Sequence, residues 1–257
     1  MRGNPNPPRK ILSYYYSMKT QRLLFLAGLA LASLSALSAR DTTPAEKGDY
    51  EGWFNYYYKH PQPEYLLKAT YQLNRQGFFD DGQSSVAMGF YATIFAQNPG
   101  KVDEWFANFR AMPMNVQRLM ASALYLSGDR RGPQYLTRVA NLAAPDSRTR
   151  IRELAQTPSP GVAATPIASV SSMSLAWGSF LATGQDAPVV KILAALGSTP
   201  TDSSINEAAR WSLAVNGASH DRVLEICSEQ LNRQPNEVRT ILKAVINEAQ
   251  TNKHGSS

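Results

Sequence analysis

Cysteine is almost missing from this chain. Cys227 stands alone among 257 residues, so no intramolecular disulfide can form even in an oxidising compartment. Histidine is nearly as scarce, with only His60, His220 and His254. The Cys-x2-Cys and His-Glu-x-x-His spacings that hold metal ions are absent, as is the Gly-x-Ser-x-Gly setting of a nucleophilic serine. After residue 40 there is no sustained alternation of apolar and polar residues between turn signals. That excludes the ordinary pattern of a half-exposed strand.

Acidic residues are absent from the first 39 positions, which hold Arg2, Arg9, Lys10, Lys19 and Arg22. From position 40 onward the chain carries 21 basic and 20 acidic groups. The high overall pI of about 9.4 is therefore mostly a property of the N-terminal segment. A near-neutral body does not advertise the concentrated basic face that a phosphate backbone requires, so no nucleic-acid partner is expected.

Within that segment, "MKTQRLLFLAGLALASLSALSAR" starts at Met18 with two positive charges. An apolar run from Leu23 to Leu34 follows, then small residues ending near Ser38 or Ala39. This is the order of a cleavable secretory signal peptide, expected over residues 18–39. The apolar run is shorter than the ~20 residues of a membrane span, which favours cleavage over the alternative of an uncleaved anchor. No cysteine stands directly after the run, so the usual lipoprotein attachment is excluded. Residues 1–17, "MRGNPNPPRKILSYYYS", fit badly before a signal peptide, so a start at Met18 that leaves them untranslated stands beside a start at Met1. A periplasmic or secreted protein is expected, touching membrane only through the signal segment.

Proline is present at informative places. Pro63, Pro99, Pro133, Pro166, Pro188 and Pro235 each precede a stretch of helical composition, where a first-turn proline loses no hydrogen bond. Asn98, Gly132 and Thr165 are placed as caps before three of them, and Ser204 with Glu207 has capping-box spacing. Apolar residues recur at helical spacing in Val116, Leu119, Met120, Ala123 and Leu124. The same spacing recurs from Met173 to Leu181, from Ile205 to Leu213 and from Val238 to Ala249. These signals predict an all-α chain of about twelve helices. They are expected near 50–59, 63–76, 84–97, 100–110, 114–127, 133–143, 146–156, 167–183, 188–196, 203–216, 220–232 and 235–250. Connections of a few residues favour antiparallel hairpins, as a degenerate tetratricopeptide-like array, an α-solenoid or a compact helical bundle. Turns at Asn98, Gly128, Gly184 and Gly217 lie 30, 56 and 33 residues apart, two of them near the period of such arrays. "QTPSPGVAATP" (156–166) reads as a linker dividing an aromatic-rich domain, 40–155, from a C-terminal helical domain, 167–250. A disordered tail is expected over 251–257.

The stretches "WFNYYYKHPQPE" (53–64), "LAWGSFLATGQ" (175–185) and "INEAARWSLAVNGASHDRVLEIC" (205–227) resemble a family of exported bacterial all-α proteins built from tetratricopeptide-like hairpins. The resemblance spans about residues 50–250 and implies bacterial origin and export. It brings no catalytic residue.

Chemistry has few candidates. His60 precedes a proline in a turn and His220 opens a helix, neither beside a nucleophile. The carboxylate pairs Asp80–Asp81 and Asp103–Glu104 fit a turn and a helix first turn, which structural roles explain. Cys227 has Leu224 and Leu231 on its helical face, the setting of an inert core thiol. Arg130, Arg131 and Arg138 flank a helix-turn-helix whose second helix offers only Gln134, Thr137, Arg138 and Asn141 as polar readers. Arg148, Arg150 and Arg152 read as a solvated face. Neither a catalytic residue, a metal site nor a cofactor is assigned. The aromatic cluster is the most suggestive feature. Trp53 and Tyr57, and Phe54 and Tyr58, are spaced i, i+4, and Trp105 lies within a further run of aromatics. Most of these rings are expected in a core, and Trp53, Tyr57 and Trp105 are the candidate partner-binding residues. The expected function is an exported, non-enzymatic protein- or peptide-interaction scaffold of the cell envelope. The alternative is a glycan-binding module or cell-wall-acting enzyme using the aromatic region. Oligomeric state is left open.

Overall fold

The computed structural model describes residues 42–79, 83–197 and 203–255. Residues 42–255 form one unit, all-α, with thirteen α-helices and no strand among the described residues. In chain order these are α1 (Tyr50–Asn55), α2 (Leu66–Arg75), α3 (Ser84–Gln97), α4 (Val102–Phe109), α5 (Met114–Leu126), α6 (Gly132–Leu142) and α7 (Pro145–Gln156). They continue with α8 (Gly161–Ala164), α9 (Val170–Thr183), α10 (Asp186–Ala194), α11 (Ser203–Ser219), α12 (Asp221–Gln230) and α13 (Asn236–Gly255). The proposed signal segment lies outside the described residues.

The predicted stripes are the buried faces. Val116, Leu119, Met120, Ala123 and Leu124 are all buried on α5, and Met173, Ala176, Trp177, Phe180 and Leu181 on α9. Neighbouring helices pair as expected: α5 with α6, α6 with α7, α9 with α10 and α11 with α12. The most extensive contact, however, joins elements far apart in sequence, α3 and α9. "SSVAMGFYATIFAQ" and "VSSMSLAWGSFLAT" have apolar residues on nearly all sides, and a helix apolar all round belongs in the centre. Backbones touch where they cross. A Cβ added at Gly178 would stand 2.0 Å from the Val86 carbonyl oxygen, and one at Gly89 2.1 Å from that of Leu175. Thr93 Oγ1 and Ser179 Oγ lie 3.1 Å apart across the same crossing. This packing is not the neighbour-to-neighbour stacking of a linear solenoid.

Four expectations need correction. The core passes from α3 to α9 without interruption, so 156–166 does not divide two domains. That stretch contains the short helix α8 and continues the same unit. Gly217 is not a turn: α11 runs through it to Ser219, and its missing side chain lets Ala249 of α13 approach to 3.0 Å of an added Cβ. The repeat spacing built on Gly217 therefore falls. Helix α13 extends to Gly255, so most of the expected tail is helical. Caps differ as well. Asn98 closes α3 by donating its side-chain amide to the Ile94 carbonyl, and Gly132 lies inside α6. The N-cap of α9 is Ser169 and not Thr165, and the capping box forms there, between Ser169 and Ser172. Ser204 is already inside α11. Gly184 ends α9 in the left-handed region, φ 65°, as its position predicts.

Candidate functional site

Trp53, Tyr57 and Trp105, the residues singled out as a partner platform, are 2%, 2% and 3% exposed. They belong to a chain of aromatic contacts that runs through the centre of the fold. Trp53 meets Phe90 edge-on with centroids 5.5 Å apart, and Tyr57 meets the same ring at 5.3 Å. Phe95, one helical turn and a residue further along α3, lies 5.7 Å from Trp105 and 5.5 Å from Phe106. Helix α3 is the spine against which both aromatic segments pack. Burial removes these three rings from any partner's reach, because α1, the 3-10 turn Tyr57–Lys59 after it, and α4 turn these rings inward. Among the buried rings, Tyr91 keeps a polar partner: its hydroxyl is 2.9 Å from that of Thr70, which donates to the Leu66 carbonyl.

The residues of "YYYKH" divide by face. Tyr57 enters the core, while Tyr56 and Tyr58 surround His220 at the start of α12. His220 is 1% exposed, packed 5.8 Å edge-on from Phe180, with Tyr58 Oη 3.4 Å from its Nδ1. Burial pushes its pKa down to about 4, Lys59 adds to the shift, and Asp221 opposes it. The imidazole is therefore neutral at pH 7. Lys59 sits over the Tyr56 ring at 5.0 Å, and Asp221 is paired with Lys253. His220 lies three and seven residues before Val223 and Cys227, the buried face of α12, so its inward register was readable. The partnership with Tyr56, Tyr58 and Lys59, about 160 residues earlier in the chain, had no local signal. His60 is exposed, and the two histidines are not brought together as a site.

Cys227 is buried on α12, and burial raises its pKa to about 12, which keeps the thiol protonated. Asp103 forms an ion pair with Arg131 at 2.8 Å, and Arg131 also holds Asp129 at 2.7 Å. This ties the α5–α6 turn to the first turn of α4. Asp80 and Asp81 lie outside the described residues. No grouping of metal-ligating side chains occurs among the described residues, and no described helix is long and apolar enough to cross a membrane.

The surface offers a different arrangement. On α6 the exposed residues Gln134, Thr137, Arg138, Asn141 and Leu142 form one outward stripe. Arg138 lines a small cleft with Arg110 from the end of α4, above Phe106, Phe109 and Tyr135. Arg152 of α7 donates to Asn141 Oδ1 at 2.8 Å, which brings a third guanidinium to the stripe. Arg148 donates to the Ala143 carbonyl at 3.1 Å and supports the α6–α7 turn. A larger cleft of about 250 Å³ is lined by Phe79, Met88, Arg118 and Leu119 among others.

The fold and this surface define an all-α protein with a closed central helix pair and a polar, arginine-bearing flank. No family model, curated protein or solved structure matches the chain.

Proposed function

We propose that this chain is an exported interaction scaffold of a bacterial cell envelope, related to the hairpin proteins that its sequence resembles, and that it holds a protein or peptide partner on the outward faces of its outer helices. One observation carries the reading. The core closes around α3 and α9 without using the exposed stripe of α6, so a rigid base presents an ordered polar face. Rigid elements position a binding face better than loops do. The segment at 18–39 supplies the export route. The glycan-platform alternative loses its support, because Trp53, Tyr57 and Trp105 are core residues.

The test is photo-crosslinking in cells of the parent organism, with a benzophenone amino acid placed at the exposed positions Tyr71, Leu142 or Val170. The expected result is a discrete protein adduct in the envelope fraction from at least one position. Absence of any protein adduct, or recovery of the chain only from the cytoplasm with residues 18–39 intact, overturns the proposal.

A further inference from the structure

Positive charge is concentrated where the exposed stripe lies. Residues 110–152 contain eight arginines, no lysine and two aspartates, whereas the rest of the chain from position 40 holds thirteen basic and eighteen acidic groups. Arg131 is occupied by Asp129 and Asp103. None of the other seven meets a carboxylate among the described residues. Uncompensated like charges on one flank lower stability slightly and raise the local potential, which favours an anionic visitor.

The geometry narrows the visitor's chemistry. Arg110 and Arg138 are both exposed and line one cleft whose floor is aromatic. A planar guanidinium matches a carboxylate with two parallel hydrogen bonds, and an apolar floor strengthens them by displacing water. Next along the stripe stand Arg152, held by Asn141, and Leu142, whose side chain is 59% exposed. A bare leucine beside arginines suits a polypeptide that alternates acidic and apolar side chains. It offers nothing to a phosphate backbone. We propose that the Arg110–Arg138–Arg152 strip, with Leu142, is the docking surface for an acidic segment of a protein partner. This rests on the scaffold reading and names its surface and the partner's chemistry.

The probe is a short fluorescein-labelled peptide alternating glutamate with leucine, titrated into the purified full chain and followed by anisotropy. Saturable binding that weakens with added salt is expected. Reversing two contacts in the R110E/R138E double variant should weaken binding about tenfold. Lys243→Glu, an exposed change on α13, should leave it unchanged. Both variants should keep the parent circular dichroism spectrum, because the altered side chains are exposed. Equal affinity for R110E/R138E overturns the proposal, and so does binding to duplex DNA or phosphatidylglycerol vesicles without binding to the peptide. No binding of the peptide overturns it too. Envelope crosslinks that persist in R110E/R138E would leave the scaffold reading standing while this surface falls. Loss of all crosslinks in the parent chain removes the scaffold itself.

Discussion

The α3–α9 crossing and the α6–α7 hairpin are both helix pairs, held together by different means. At the crossing, glycines 89 and 178 bring backbones into contact, and elsewhere on α3 Phe90 and Phe95 pack against Trp53 and Trp105. At the hairpin, a small separate cluster of Ala121, Tyr125, Leu136 and Val139 does the packing. Helix α7 adds only the half-buried Ile151 and Ala155 among its described apolar side chains, and Leu142 and Leu154 face solvent. The Tyr125 hydroxyl, donating to the Thr157 carbonyl at 2.8 Å, fastens the hairpin's far end. The centre tolerates no added atom and fixes the fold. The flank has few buried atoms to disturb, which leaves its surface available for charge.

The sharpest way to break this contrast is Gly178→Ala. The new Cβ would lie 2.0 Å from the Val86 oxygen and 2.5 Å from the Phe90 nitrogen, both backbone atoms that no rotamer change can move. The helices must separate, and a loss of about 3 kcal/mol or more is expected from urea unfolding. Gly100→Ala, where an added Cβ meets nothing within 4 Å, serves as the neutral control. Equal stability of the two variants would mean that the central crossing is looser than described.

His220 joins the first aromatic segment to α12, and its titration reads that junction. Its folded pKa of about 4 lies below the ordinary value of 6.5, so the unfolded chain binds the proton more readily between those limits. Stability from this group is flat above about pH 6.5 and falls by about 3 kcal/mol as pH drops toward 4. Tyr56, Tyr58, Lys59 and Asp221 face the ring, and Lys253 pairs with Asp221. In His220→Gln the slope over this window should flatten. An unchanged slope would assign the acid sensitivity elsewhere.

Much of the fold was legible in the sequence, for identifiable reasons. Stripes such as Val116 to Leu124 and Met173 to Leu181 carry their own periodicity, so their helices and buried faces could be read locally. The partnership of α3 and α9 could not. Their small and apolar residues announce burial on all sides but name no partner about 90 positions away. Gly217 misled because a glycine that admits a neighbouring helix looks, in one dimension, like a glycine that turns the chain. Trp53, Tyr57 and Trp105 stand out by their clustering with other aromatics, yet that clustering is what lets both aromatic segments pack on Phe90 and Phe95 of α3. Arg110 and Arg138 share a cleft through tertiary packing alone, although the lysine-free run of arginines was visible.

A smaller effect is expected on the flank. Leu136→Ala removes the 1%-exposed centre of the satellite cluster and should cost about 2 kcal/mol, the low end for a buried leucine, because so small a cluster can collapse around the gap. Hydrogen exchange should then quicken in α6 and α7 while α3 and α9 keep their protection. Uniform quickening across all four helices would show that the two regions unfold as one.

The smallest measurable change should come from Arg131→Met. Arg131 binds Asp103 and Asp129 and donates to the Pro99 carbonyl at 2.9 Å, joining the α4 and α6 ends that frame the arginine strip. Asp103 is mostly exposed, so its arm contributes little; the Asp129 side chain is 13% exposed and loses its charged partner. A loss of about 1 kcal/mol is expected, against less than about 0.5 kcal/mol for Arg150→Met, which has no carboxylate partner among the described residues. The Arg131 guanidinium holds the Asp129 pKa below its ordinary value, a stabilisation present at neutral pH and lost as pH falls through the lowered pKa. In Arg131→Met that acid-limb loss should shrink while the His220 window stays as it was. If both limbs changed together, the turn at Asp129 and the junction at His220 would be coupled through the core, and the flank would no longer count as separate from the centre.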